Sequence, residues 1–202
     1  MRWSGTASVR RPNGTLLQTG IVTFAGQPVL PDGRGQNATS VVLFRSNDGI
    51  TWDYTATIAS AKDYPESWEG PNEMDLATLD DGSLVAVMRM DGGDADGQKW
   101  AHTSNHAKDL ESDFDHFLPY HISHSFDGGT TWSKLVPLPA GCARPRLLNV
   151  QGTGTLLMSG GRFHAAKPKT SDVILWASKD SASPSRATRF RCPLLAAPRL
   201  AR

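Results

Sequence analysis

The run Ser125-Phe126-Asp127-Gly128-Gly129-Thr130-Thr131-Trp132 constrains this chain more than any other stretch. It reads Ser-x-Asp-x-Gly-x-Thr-Trp, and a near copy, one residue shorter, stands upstream as Ser46-Asn47-Asp48-Gly49-Ile50-Thr51-Trp52. The pattern has the chemistry of a hairpin turn. Ser and Asp side-chain oxygens accept hydrogen bonds from the turn's own N–H groups, and Gly takes up the positive φ that the turn requires. The Trp then offers the next strand a large ring to bury, so Trp52 and Trp132 are expected beneath their turns. A worn third copy starts at Ser178-Lys179-Asp180 but never reaches a Gly-x-Thr-Trp.

The turns belong to a longer repeat. Asn13-Gly14-Thr15-Leu16-Leu17, Asp81-Gly82-Ser83-Leu84-Val85 and Gly152-Thr153-Gly154-Thr155-Leu156-Leu157 each open an apolar run, and Gly14, Gly82 and Gly154 are 68 and 72 residues apart. Each run reads as a turn followed by a strand. Each is followed by a second strand that leads into a Ser-x-Asp turn, over 40–45, 120–124 and 173–177. The middle unit then has strands over 74–79, 82–90, 120–125 and 133–138. Four antiparallel strands per unit describe a propeller blade, and recurrence at this period describes an array of them. The expected fold class is all-β, an incomplete β-propeller of about three antiparallel four-stranded blades over residues 1–180. No amphipathic helix is expected; residues 100–110 are polar all round and read as a loop.

The chain has 202 residues, 39% of them hydrophobic and 20% charged, as in an ordinary globular protein. The net charge of +1 selects for neither nucleic acid nor a membrane surface. Residues 181–202 hold five Arg, three Pro and no acid, so residues 1–180 carry −4, the +1 less those five. That Arg/Pro/Ala-rich tail is expected to be disordered and outside the repeat. No apolar run reaches the length of a membrane span, and residues 1–14 lack the apolar core of an ordinary signal peptide. Cys142 and Cys192 make no disulfide framework. Asn13 and Asn37 head glycosylation-type triplets, a pattern that also arises by chance.

The repeated turn resembles the Asp-box of sialidases and related BNR-repeat proteins. The resemblance implies a sialidase-type propeller, of which this chain covers about three of six blades. It also implies an exo-α-sialidase type of glycoside hydrolase acting on sialylated or other acidic glycans, without a cofactor. Such enzymes use a Tyr nucleophile activated by a Glu, an Asp acid/base and three Arg that clamp the substrate carboxylate. A planar carboxylate suits the rigid guanidinium fork, and a Tyr nucleophile keeps a second negative charge away from it. Glu73, in Pro71-Asn72-Glu73-Met74, looks like the activating Glu, and Arg89, in Val87-Met88-Arg89, like one clamp Arg. Asp32, fourteen residues before Ser46, matches the acid/base position, although Pro31-Asp32-Gly33 is equally an ordinary β-turn. Arg162 is a second clamp candidate, with Arg144 or Arg146 as alternatives. The family's N-terminal Arg-Ile-Pro is missing, and none of Tyr54, Tyr64 and Tyr120 stands in the nucleophile setting.

Other constellations point to loops and strands. His116, His121 and His124 lie near Asp115 but at no standard zinc spacing, and His121 and His124 fall on opposite faces of a strand. The acidic run 91–97 lacks the spacing and closing Glu of a calcium loop. Gly152-x-Gly154 opens no helix and is no dinucleotide site. The expected function is a sialidase-like hydrolase domain, with this chain a fragment of little activity by itself. The alternatives are a non-catalytic BNR propeller that binds glycans or proteins, and an inactive truncated product.

Overall fold

The computed structural model describes residues 4–30, 37–90, 118–138, 140, 143–163 and 171–178. Among them every regular element is a strand, and every pairing is antiparallel. The first sheet has the order β1 (Ser4–Arg10), β2 (Leu16–Val22), β3 (Ser40–Ser46), β4 (Asp53–Ala59). The second has β5 (Met74–Thr78), β6 (Leu84–Met88), β7 (His121–Ser125), β8 (Val136–Pro137). The third has three described strands, β9 (Ala143–Val150), β10 (Thr155–Phe163) and β11 (Ser171–Ser178). The first strands of the sheets, β1, β5 and β9, run beside one another. The described residues form no closed ring of sheets.

The second sheet is sandwiched between its neighbours. Leu84, Val85, Ala86, Val87 and Met88 are all fully buried, so β6 reads as a continuous apolar run rather than an alternating one. Its two faces feed two clusters. Leu84, Ala86 and Met88 join Leu17, Val41 and Leu43 of the first sheet. Val85, Val87 and Ile122 join Leu156, Met158 and Trp176 of the third. The tail 181–202 lies outside the described residues.

The two Ser-x-Asp turns are built alike. In the first, Gly49 N–H donates to Ser46 Oγ (2.8 Å), and Ile50 and Thr51 N–H both donate to Asp48 Oδ1 (2.8 Å). In the second, Gly129 N–H donates to Ser125 Oγ (2.8 Å) and Thr131 N–H to Asp127 Oδ1 (2.9 Å). These bonds pull both carboxyls down to about 2; the largest causes are the Thr51 and Ile50 N–H groups for Asp48, and the Thr131 hydroxyl and N–H for Asp127. A depressed acid stabilises the fold above its unfolded pKa of roughly 3.9 and loses that contribution as the pH falls through its folded value. In an acid titration followed by Trp fluorescence, wild type is therefore expected to exceed Asp127→Asn in stability at neutral pH. The gap should close between about pH 4 and pH 2. A gap that is independent of pH would mean that the carboxylate charge plays no part.

Two expectations need correction. The Trp52 and Trp132 rings are half-buried rather than buried. Each indole N–H is held by its own turn, donating to Gly49 O (3.3 Å) and Gly129 O (3.0 Å), which keeps one edge of the ring at the surface. Trp132 packs against the cluster shared by the first two sheets. Trp132→Ala is accordingly expected to cost about 2 kcal/mol, below the 3–5 of a fully buried aromatic; equilibrium denaturation checks this. The fourth strand of the second unit is also shorter than expected, Val136–Pro137 instead of 133–138. Backbone pairing still continues on both sides of it, through Ser133 N–H to His124 O (2.9 Å), Leu138 N–H to Tyr120 O (2.7 Å) and Tyr120 N–H to Ala140 O (2.7 Å). Ser133 holds β7 partly through its side chain, which accepts from His124 N–H at 3.0 Å.

Candidate active site

The chain enters β5 through Gly70-Pro71-Asn72-Glu73, and this entry is anchored on the first sheet. Thr39 N–H donates to Glu69 O (2.7 Å), and the single Thr39 hydroxyl proton is shared between Glu69 O and Pro71 O (2.9 and 3.0 Å). Gly70 sits at φ +79, and a Cβ there would lie 2.1 Å from Thr39 O. Beyond the entry the β5–β6 ladder continues outward. Asn72 N–H donates to Arg89 O (3.2 Å) and Arg89 N–H to Glu73 O (2.9 Å). Glu73 and Arg89 are thus cross-strand neighbours, and Arg89 Nη1 lies 3.4 Å from Glu73 Oε2.

A second arginine reaches Glu73 from the third sheet. Arg144 donates its N–H to Glu73 Oε2 (2.9 Å) and its Nε–H to Glu73 Oε1 (3.4 Å). Arg144 is also the one described non-glycine residue at positive φ, 50°. Left-handed backbone costs an ordinary residue about 1–2 kcal/mol, and such strain collects at functional sites. Here it aims both a backbone and a side-chain donor at one carboxylate. Arg89 is largely buried, at 12% side-chain exposure, whereas Arg144 stands at 79%. The arrangement places two guanidinium groups around one carboxylate, with the Arg144 side chain at the surface, so the balance of charge there favours an incoming anion.

The other acids of this region stitch the second sheet to the third. Asp75 Oδ2 accepts from Leu147 N–H at 2.7 Å. Burial pushes the Asp75 carboxyl up, against the lowering effect of the Leu147 and Leu76 N–H groups and of Arg146. Asp80 accepts from the Asn149 amide (2.9 Å) and Gly152 N–H (3.0 Å), which hold its carboxyl below the usual range. In the sequence Asp75 falls inside the strand expected over 74–79 and Asp80 in the turn after it, and neither marks a contact to another sheet. Their partners lie about seventy residues away and no local pattern marks them.

Of the sequence candidates, Glu73 and Arg89 meet, and of the alternatives Arg144 joins them. Arg162 lies in β10, one residue past Gly161, which pairs with Ala143, so its backbone position is at the same end of the sheet as Arg144. Asp32 lies outside the described residues, as do His116 and the acidic run 91–97. His121 is buried, with its ring edge-on to Tyr64, while His124 stacks on Phe126; no metal-ligating cluster occurs among the described residues. Two hollows lie away from Glu73. One, of about 480 Å³, is bordered by Tyr64, Trp132 and Lys134; the other, of about 720 Å³, by Arg10, Asp80 and Asn149 at the hairpin-turn end of the first strands. No helix among the described residues is long and apolar enough to cross a membrane.

No protein-family model matches the sequence, and no curated protein matches it. Solved structures do. A protein of unknown function from Dyadobacter fermentans superposes with a TM-score of 0.60 at 16% identity, over 94% of this chain and 54% of that one. Zg3597, a family 117 glycoside hydrolase of the marine bacterium Zobellia galactanivorans, does so with a TM-score of 0.60 at 13% identity, over 95% and 56%. At these identities the likeness is one of fold. The chain spans about half the length of the solved structures it matches.

Proposed function

We propose that this chain supplies part of the sugar site of a sialidase-like glycoside hydrolase built as a propeller, acting on sialylated or related acidic glycans. The observation that carries the reading is Glu73 held between Arg89 and Arg144 where two neighbouring sheets meet. A guanidinium pair is the fitted receptor for a substrate carboxylate, and a Glu fixed beside it is placed to take a proton. The fold likeness to a glycoside hydrolase supports the class. In this reading Glu73 activates the nucleophile, Arg89 and Arg144 hold the carboxylate with Arg162 as a third cation, and Asp32 is the acid/base.

A second reading, a glycan-binding propeller without catalysis, is favoured by one observation. Both Glu73 carboxylate oxygens are engaged by arginines, while the phenols of Tyr54 and Tyr64 bond to Thr57 and Leu135, and Tyr120 is buried against Trp176. Hydrolysis by this route requires a nucleophile held in productive geometry. Residues 1–202 are therefore expected to release almost no fluorophore from a fluorogenic sialoside, and Glu73→Gln to change nothing measurable. Robust turnover abolished by Glu73→Gln and by Arg89→Ala would place a working nucleophile within this chain.

A further inference from the structure

The hollow of about 480 Å³ beside Trp132 has walls from two sheets. Residues 57–60, around the end of β4, and residues 62–64 beyond them form one wall. Residues 132–134, where the second Ser-x-Asp turn leads into β8, form the other. Phe24, just past β2, also lines it. Its size is that of a small-ligand site. None of its lining residues belongs to the Glu73 site.

Two aromatic rings of the hollow are set in advance. Trp132 and Tyr64 are each half-buried, and both pack on the cluster shared by the first and second sheets. The Trp132 indole N–H donates to Gly129 O (3.0 Å). The Tyr64 hydroxyl accepts from Leu135 N–H (3.2 Å), a bond across 71 residues that ties the two walls together. Tyr64 also meets His121 edge-on, with ring centroids 6.1 Å apart. Both rings are thus fixed at their polar ends, and what they have left to offer is ring surface. A ring already held in place makes apolar contact at little entropic cost.

The polar lining is of another kind. Lys62 and Lys134 are exposed, one on each wall, and Asp63 is the single acid among the lining residues. Ser60 Oγ accepts from Lys62 N–H (3.3 Å), which places its hydroxyl and leaves that proton to donate. A sugar presents a face of C–H groups with hydroxyls around its edge, and so fits aromatic surface bordered by polar groups. Two cations against one acid add a preference for a negative substituent. We infer that this hollow is a second sugar site, for an acidic hexose unit of a glycan. The sugar ring lies against Trp132 and Tyr64, and Lys62 and Lys134 take its carboxylate or sulfate. Lysine is a point charge on a flexible stem, so this site selects for charge, whereas the arginine forks around Glu73 select for a planar anion. A nucleotide also stacks and carries charge, but Asp63 beside Lys62 opposes its more highly charged phosphate.

The test follows the Trp132 indole N–H signal by NMR, assigned through its loss in Trp132→Phe. The whole chain is titrated with glucuronic acid, glucose 6-sulfate, glucose, sodium sulfate and adenosine monophosphate. The acidic sugars are expected to give a saturable shift, shared by the amides of Tyr64 and Ser133. Glucose should bind about threefold to tenfold more weakly, the range of two exposed charge contacts. Lys62→Ser with Lys134→Ser should bring the acidic sugars to the level of glucose. Both lysines are exposed, and circular dichroism verifies that the variant folds. Arg144→Ala should leave these shifts unchanged, so the proposal stands or falls independently of the Glu73 site. A response to only one of the acidic sugars keeps the site and names its anion. No shift with either acidic sugar, the same shift with sulfate alone, tighter binding of the nucleotide, or an acidic preference that survives loss of both lysines would overturn the proposal.

Discussion

Gly70→Ala is expected to destabilise the fold by about 3–4 kcal/mol, well beyond the usual point substitution. Two costs add. An alanine at φ +79 pays about 1 kcal/mol for left-handed backbone. Its Cβ would also lie 2.1 Å from the Thr39 carbonyl oxygen and 2.8 Å from the Thr39 nitrogen, both backbone atoms with no rotamer to move. Relieving that clash means shifting the hydrogen bonds of the two Thr39 donors that pin residues 69–71, each worth about 1 kcal/mol. Gly82→Ala is the control. Gly82 has nearly the same φ, +82, but open space around it, so only the backbone cost of about 1 kcal/mol applies. Denaturant midpoints compare the two, and equal losses would show that close approach at Gly70 is unimportant. Because Gly70 leads into Asn72 and Glu73, the same substitution should also displace the Glu73–Arg144 contact.

That contact marks where the sequence stopped being legible. The sheets were readable because their causes are local: a glycine that needs positive φ, a leucine after it, and Ser and Asp oxygens that bond N–H groups two to four residues away. Glu73 and Arg89 were readable as strand-end positions of one hairpin. Arg144 could only be offered beside Arg146, because choosing between them depends on the left-handed turn before Pro145 and on a partner 71 residues away. Asp75 and Asp80 escaped notice for the same reason, their donors being on β9. The Trp rings were expected to be buried because their size suggests it. Their indole N–H bonds to Gly49 and Gly129 keep them at the surface instead. The regular part of β8 is short, but single backbone bonds at Ser133, Leu138 and Ala140 carry the pairing across the whole expected span.

The second large effect concerns recognition. For an acidic sugar bound beside Glu73, Arg144→Ala should weaken binding about tenfold to a hundredfold, the range of one or two charge-assisted hydrogen bonds. Arg144 is the clean choice: its side chain is 79% exposed, so the fold does not depend on burying it. Arg89→Ala should weaken binding at least as much, but it also strips a cation from beside the half-buried Glu73 and needs a stability control. Binding should weaken with added salt, as expected for charge pairing at an open surface.

The most direct measurement of the central claim is a titration of residues 1–202 with free N-acetylneuraminic acid, followed by NMR shifts of the backbone amides around Glu73, Arg89 and Arg144, beside the same titration with a neutral hexose. Saturable shifts are expected at these residues with the acidic sugar, none with the neutral one, and loss of the shifts in Arg144→Ala. Equal responses to both sugars, or shifts unchanged by Arg144→Ala, would contradict it.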